Sequence, residues 1–216
     1  MKTVAVLHTT PVTIEGLKPH FQSILPDVKV MNFLDESILP EINRAGRITP
    51  ELRFRFHSLM RQAAMASPDL LLSACSSVGG LMEEGAGLVS MPALRIDEPM
   101  LRQAAATGGR IGVAATLAST LDPTVDLLLR CAEQERKKVQ VNRLLISEAG
   151  PLLSAGKTDE YLGLTAQKIS GLLEECDLVV LAQASMAGAL KLIPDGDRLP
   201  VMTSPASGIA ALKKWL

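Results

Sequence analysis

The chain has 216 residues, 47% hydrophobic and 3% aromatic, with 22 Lys plus Arg against 23 Asp plus Glu and a formal net charge of −1. That balance offers no basic surface for nucleic acid or an anionic membrane, and so few aromatics leave no platform for stacked bases. Three cysteines without a Cys-x-x-Cys or a Cys/His cluster argue against a disulfide frame or structural zinc and fit a reducing compartment. No stretch approaches the ~20 apolar residues of a membrane span. The apolar run after Met1 is also too short for a signal peptide, so a cytoplasmic protein is expected.

In chain order, strand and helix patterns alternate. Val4 to Leu7 is a short apolar run, followed by a turn from His8 to Thr13 and a helix with apolar spacing at Ile14, Leu17, Phe21 and Leu25. A strand over Val28 to Phe33 precedes one or two helices between Glu41 and Ala66, with Pro50 opening the second. Asp69 to Leu81 reads as a buried parallel strand ending at Cys75, with a helix starting at Ser76 or Ser77. Met91 to Ile96 is a further strand, and Asp97 a natural cap for the helix after it. From Arg110 the cycle restarts: a strand to Ala115, a turn over Thr116 to Thr120, and a helix from about Pro123 to Lys137. A strand over Val139 to Ile146 and a helix over Thr158 to Glu175 follow. The strand ending at Gln183 has its own helix, then come a strand over Pro200 to Thr203 and a last helix to Leu216. Such alternation predicts parallel sheets.

The Cys75 stretch is repeated. Adding 108 to its numbers gives Asp177-Leu-Val-Val-Leu-Ala-Gln-Ala-Ser-Met-Ala-Gly-Ala189, which keeps Asp, Leu, Ala, Ser and Gly in register. The same offset lays Pro92 on Pro200 and the opening strand on Arg110 to Ala115. Twice 108 is the full length, so two copies of one α/β unit are expected. The expected division is residues 1–97 plus 206–216 for the first lobe and 98–205 for the second, with Cys75 and Gln183 in equivalent positions.

Open α/β sheets hold ligands at the carboxyl ends of their strands. The residues predicted there are His8, Thr9 and Thr10; Cys75, Ser76 and Ser77; Thr116, Ser119 and Thr120; Gln183 and Ser185; Thr203 and Ser204. If the lobes face each other, these converge on one cleft. Hydroxyls, an amide, a thiol and an imidazole suit a small carboxylate better than a phosphate, which calls for a glycine-lysine loop, or a metal, for which only His8 is at hand. Cys75 reads either as a thiolate favoured by a helix start or as a small buried hydrophobe, and many of the hydroxyls also serve as helix caps. Cys131 and Cys176 read as core, and His57 as a solvated or subunit-contact residue on an amphipathic helix.

Val-Leu-His-Thr-Thr-Pro, Ser-Ala-Cys-Ser-Ser-Val-Gly, Arg-Ile-Gly-Val-Ala-Ala-Thr-Leu-Ala-Ser-Thr and Leu-Val-Val-Leu-Ala-Gln-Ala-Ser together resemble the aspartate/glutamate/hydantoin racemase superfamily over essentially the whole chain. The resemblance implies two pseudo-symmetric, flavodoxin-like α/β lobes with parallel sheets, a cofactor-independent and metal-free active site in the cleft between them, and a homodimer or higher homo-oligomer. It also implies a small carboxylic acid substrate, an amino acid or relative, whose α-carbon lies between two cysteines. The first family cysteine maps onto Cys75. Substrate carboxylate falls to Ser76, Ser77, Thr116, Ser119, Thr120 and Ser185, with Thr10 beside them.

The second family cysteine maps onto Gln183, which cannot exchange a proton. A two-base racemase needs an acid and a base on opposite faces of the carbanion. The departure leaves open a racemase in which another group, with His8 the best candidate, supplies the second proton. It equally admits a single-thiol decarboxylase, lyase or cis–trans isomerase of a small dicarboxylic acid, in which Gln183 serves as an oxyanion donor. A two-lobed carboxylate-binding protein with no chemistry is the alternative outside enzymes.

Overall fold

The computed structural model describes residues 1–194 and 200–216. Its apolar runs form two four-stranded, wholly parallel sheets. The first contains β1 (Thr3–His8), β2 (Lys29–Leu34), β3 (Leu70–Ser73) and β4 (Ala93–Arg95) in the order β2-β1-β3-β4. The second contains β5 (Gly109–Ala115), β6 (Val139–Leu145), β7 (Leu178–Leu181) and β8 (Val201–Thr203) in the order β6-β5-β7-β8. Both orders follow the opening of the flavodoxin pattern. The chain divides into one unit of Met1–Asp97 with Pro205–Leu216 and a second of Glu98–Ser204, so Pro205 falls with the first unit.

Helices cover both faces of each sheet because the central strands are apolar on both sides. In the first unit, Val4, Val6, Leu70, Leu72 and Ala74 pack under α1 (Val12–Ile24) and the carboxyl-terminal α9 (Ser204–Ala211). The alternate residues Ala5, Leu7, Leu71 and Cys75 face α2 (Ile38–Ala45), α3 (Pro50–Met65) and α4 (Gly79–Gly85). Pro50 does open α3, with the Thr49 hydroxyl accepting from Leu52 N–H. In the second unit, α5 (Glu98–Thr107) and α6 (Ala118–Gln134) lie on one face; α7 (Ala149–Ser154) and α8 (Thr158–Leu173) lie on the other.

Three local expectations change. Helix α6 begins at Ala118 rather than near Pro123, because Thr120 and Leu121 N–H groups already close onto Leu117 carbonyl and an early proline is tolerated. The short α7 has no counterpart in the sequence reading. After Gln183 the chain takes a 3-10 helix, Ala184–Leu192, instead of an α-helix.

The internal repeat holds, but its offset is not uniform. In the first unit Val4 pairs with Leu70, and in the second Ile111 pairs with Leu178. The third strands are therefore 108 residues apart, as are the fourth (Ala93 and Val201), while the first strands are 107 apart. One residue of slip moves every side chain to the other face. On the sequence alignment His8 falls on Thr116; in the folded protein Thr9 does. Gly112, set on Ala5 by the true register, is small because a Cβ there would meet Leu172 at 2.8 Å.

A carboxylate pins that register in each unit. Asp69 accepts from Thr3 N–H at 2.8 Å and Asp177 from Arg110 N–H at 2.8 Å, and Lys2 and Arg110 side chains pair with the same carboxylates. Both carboxyls lie below their ordinary range: for Asp69 chiefly from the Lys2 hydrogen bond, for Asp177 from the Arg110 backbone.

Asp97 does not act as the expected cap. It is 1% exposed and holds the equally buried Arg95 through two hydrogen bonds of 2.7 and 2.8 Å, while Glu83 takes a third guanidinium nitrogen at 2.9 Å. Burial opposes the Arg95 charge, but the two carboxylates outweigh it and hold the guanidinium protonated. Gly79, four residues after Cys75, lies against this guanidinium, where a Cβ would sit 2.3 Å from Arg95 Cζ. The buried pair thus supports the turn that carries Cys75. Asp97→Ala, which strands a buried cation, is expected to cost about 3–5 kcal/mol in urea denaturation. The volume-matched double change Arg95→Met/Asp97→Leu should cost less than the single one.

Candidate functional site

At the carboxyl end of the first sheet, Cys75 has extended backbone (φ −128°, ψ 118°) and leads into a 3-10 turn over Ser76–Val78 before α4. Its side chain is half-buried and, at the residue before the turn, makes no capping hydrogen bond. Among the described residues its carbonyl is engaged, accepting from Ser73 Oγ at 3.3 Å and Val78 N–H at 3.3 Å. Ser76 and Ser77 are buried and engaged in interactions of their own. Thr10 is half-buried, its carbonyl accepting from Thr13 Oγ1.

Thr9 stands out chemically. It is 2% exposed, and its hydroxyl has no hydrogen-bond partner among the described residues. Leu7 pairs with Ser73, so the same register continued two residues sets Thr9 opposite Cys75 on the same face.

His8 belongs to the other face, alternating with Val6. Its Nδ1 meets Thr13 Oγ1 at 2.7 Å and its Nε2 meets the Asn32 amide at 2.9 Å. Asn32 Oδ1 can only accept, so His8 Nε2–H is the donor to it. Burial holds the imidazole below its ordinary pKa, with the Asn32 bond opposing. In the neutral ring Nδ1 is then the acceptor, and the Thr13 hydroxyl faces both it and the Thr10 carbonyl. His8 and Asn32 line a cavity of about 400 Å³ beneath α1. The imidazole is thus turned toward α1 rather than toward Cys75.

The second unit has the matching arrangement, fully bonded. Gln183 has the same extended backbone (φ −128°, ψ 133°) and leads into its own 3-10 helix. Its Oε1 accepts from Thr116 N–H at 2.6 Å and from Thr116 Oγ1 at 3.0 Å. A backbone N–H can only donate, so the oxygen faces Thr116 and the NH₂ is left to donate elsewhere. Thr116 therefore has both of its donors on Gln183. Ser119 is half-buried and Thr120 buried at the start of α6, both engaged. Ser185 Oγ lies 2.9 Å from the hydroxyl of Tyr161, which is fully buried on α8.

Tyr161 escaped the sequence reading. Its signal was there to use: it is the chain's one tyrosine, and a buried phenol needs a polar partner. His57, expected to be solvated, instead ties α3 to α4 by donating to Leu81 carbonyl at 3.0 Å. Cys131 and Cys176 are buried in the core, the latter's thiol pushed up by burial and by Glu175 and Asp177. Among the described residues, no three His, Cys, Asp or Glu side chains could hold a metal ion, and no helix is long and apolar enough to cross a membrane.

Two parallel sheets of flavodoxin order, each with a polar turn after its third strand, define a pseudo-symmetric α/β protein. A family model described as Asp/Glu/Hydantoin racemase matches residues 16–212, and the chain belongs to that family. Among solved structures, the fold is similar to aspartate racemase from Picrophilus torridus, with TM-score 0.75 and 15% identity over 100% of this chain and 94% of that one. A glutamate racemase from Bacillus anthracis gives TM-score 0.70 and 16% identity over 99% and 80% of the two chains. Allantoin racemase from Klebsiella pneumoniae gives 0.66 and 16% over 99% and 87%. No curated protein matches the sequence significantly.

Two stability measurements follow from the geometry. Thr9→Val removes an unsatisfied buried hydroxyl without changing shape and is expected to stabilise the fold by about 1 kcal/mol, whereas Thr116→Val, which breaks a satisfied network, should destabilise it by about 1–3 kcal/mol. Equal effects of the two in chemical denaturation would contradict the asymmetry described. His8, depressed in the folded state, contributes stability that is present above the unfolded imidazole pKa of about 6.5 and lost as pH falls through the folded value. The melting temperature should therefore decline below about pH 6.5, and His8→Gln should flatten that part of the profile.

Proposed function

We propose that this protein is a cofactor-independent enzyme that moves a proton at the carbon alpha to the carboxylate of a small acid, an amino acid or a close relative, with Cys75 as proton carrier. Membership of the racemase family supports the reaction class. The observation that carries the rest is the fixed polarity of Gln183: at the position equivalent to Cys75, the second unit presents an amide whose oxygen is tied back to Thr116.

In the deprotonation direction the Cys75 thiolate takes the α-hydrogen as a proton. The C–H electron pair moves into the bond between the α-carbon and the carboxyl carbon, and the carboxylate becomes an enediolate. The Gln183 NH₂ donates to that developing oxyanion, a contribution of about 2–4 kcal/mol for a preorganised donor. The new Cys75 thiol then returns a proton to the carbon. Thr10, Ser76, Ser77, Ser119 and Thr120 supply the surrounding hydroxyls. Thr9, whose O–H is buried without a partner among the described residues and follows the strand beside that of Cys75, is a candidate donor to the thiolate. Because an amide carries no exchangeable acid of suitable pKa, protonation is one-sided. This favours exchange or decarboxylation with one stereochemical outcome over racemisation through two thiols, and assigns His8 no step.

Proton NMR in deuterated water with a panel of amino acids, hydantoins, hydroxy acids and substituted malonates tests the reading. Solvent deuterium should enter the α-carbon with a single configuration. Cys75→Ser should lower the rate by at least about 10³-fold, and Gln183→Leu by about 10²–10³-fold. Racemisation that survives in the wild type would overturn the one-sided mechanism; turnover that survives in Cys75→Ser would remove the thiol from it.

A further inference from the structure

The two units treat the space beneath their first helix differently. Carrying the register of the first strands into the helices lays the buried Leu17, Phe21 and Leu25 of α1 on the buried Thr124, Leu128 and Ala132 of α6. The neighbouring strands correspond too: Val4 pairs with Val30 and Val6 with Asn32, as Ile111 pairs with Val141 and Val113 with Arg143. In the second unit the angle between α6 and β6 is sealed. Val125 is buried in a core against which Val141 packs, and Arg143 reaches from β6 to pair with Asp122 on α6. In the first unit Lys18 stands in the place of Val125, Asn32 in that of Arg143 and Glu15 in that of Asp122, and all three are exposed. His8 takes the place of the buried Ala115. The seal is gone, and a cavity of about 400 Å³ lies between α1 and β2, within the size range of small-molecule sites.

What lines this cavity identifies an occupant. Glu15 keeps the anion of the sealing pair but has lost its arginine, and Lys18, one turn further along α1, brings a cation where the other unit has an apolar side chain. Among the described residues neither makes an ion pair, and Asn32, whose Oδ1 takes the His8 hydrogen, has its NH₂ left to donate. Between these groups the walls are apolar, from Val6, Leu17, Phe21 and Val30. We infer that the cavity binds a small zwitterion with an apolar side chain, of the α-amino-acid type, with its ammonium on Glu15 in place of the missing guanidinium and its carboxylate on Lys18. An apolar amine would leave Lys18 without an anion, and an apolar acid would leave Glu15 without a cation. Cys75 packs on the opposite face of the first sheet from Val6, Leu17 and Phe21, so this site is distinct from the one at the strand ends and does not depend on the reaction proposed there.

The test is protein NMR titration at low salt with three matched probes, L-leucine, 3-methylbutylamine and 4-methylpentanoate, following the backbone amides of Gln22 and Val30. In the wild type leucine is expected to shift these amides and to bind at least about fivefold more tightly than the amine or the acid. Lys18→Val/Asn32→Arg, which rebuilds the seal of the second unit, should weaken that binding at least about tenfold, while Cys75→Ser should leave it unchanged. Glu15→Gln should bring leucine down to the affinity of the acid, and carries the test if the double variant does not fold. Equal binding of the three probes, shifts confined to the strand ends, or leucine binding that survives these changes in α1 and β2 would overturn the inference. So would the absence of any shift at Gln22 and Val30, and each of these outcomes would leave the proposed function untouched.

Discussion

The register between the first and third strand of each unit is the constraint on which the chemistry depends. It is held at one end by a carboxylate, Asp69 or Asp177, that accepts the N–H of the strand lying beside it. At the other end it decides which side chain shares a face with Cys75 or Gln183. A slip of one residue would set His8 opposite Cys75 and turn Thr9 under α1. Because strand faces alternate with a period of two, the ladder admits no intermediate placement. The surface ion pairs at Lys2 and Arg110 add little of their own; the backbone hydrogen bonds to the same carboxylates carry the alignment.

The two units use one framework for opposite ends. In the second, Thr116 is fully committed, its N–H and O–H both on Gln183, and Tyr161 pairs with Ser185. In the first, the equivalent Thr9 hydroxyl is buried with no protein partner among the described residues, and Cys75 makes no side-chain capping bond. A satisfied network is rigid, while an unsatisfied buried donor costs stability that only a ligand or a charged neighbour can recover. The contrast fits a proton-carrying thiol in one unit and a fixed oxyanion donor in the other. Arg95 and Asp97 hold Gly79 and the turn after Cys75 from below; in the second unit Thr203 stands at the end of β8, where the first has Arg95.

The family of this chain is established by sequence and its architecture by the fold it shares with racemases. In the proposed reaction the amide of Gln183, at the strand end equivalent to that of Cys75, is the chemically consequential feature. A glutamine is the natural replacement if a negative charge is still to be met but no proton is to be passed, since its NH₂ can donate without ionising.

Much of this was legible before folding. Apolar runs, turn residues and the repeat of Asp, Leu, Ala, Ser and Gly determined two parallel α/β units, located Cys75 and Gln183 at equivalent strand ends, and marked Cys131 and Cys176 as core. These follow from local periodicity and composition, which need no knowledge of neighbours. Tertiary structure alone decided the one-residue slip of the first strands, because pairing register is set between strands and not along one. It turned His8 to Thr13 and Asn32, drew Asp97 away from its cap to Arg95, and brought Tyr161 from α8 onto Ser185. Each of these joins residues distant in sequence or competing for one hydrogen, and such contacts are chosen by the geometry of packed elements, where every buried donor and acceptor must be matched at once.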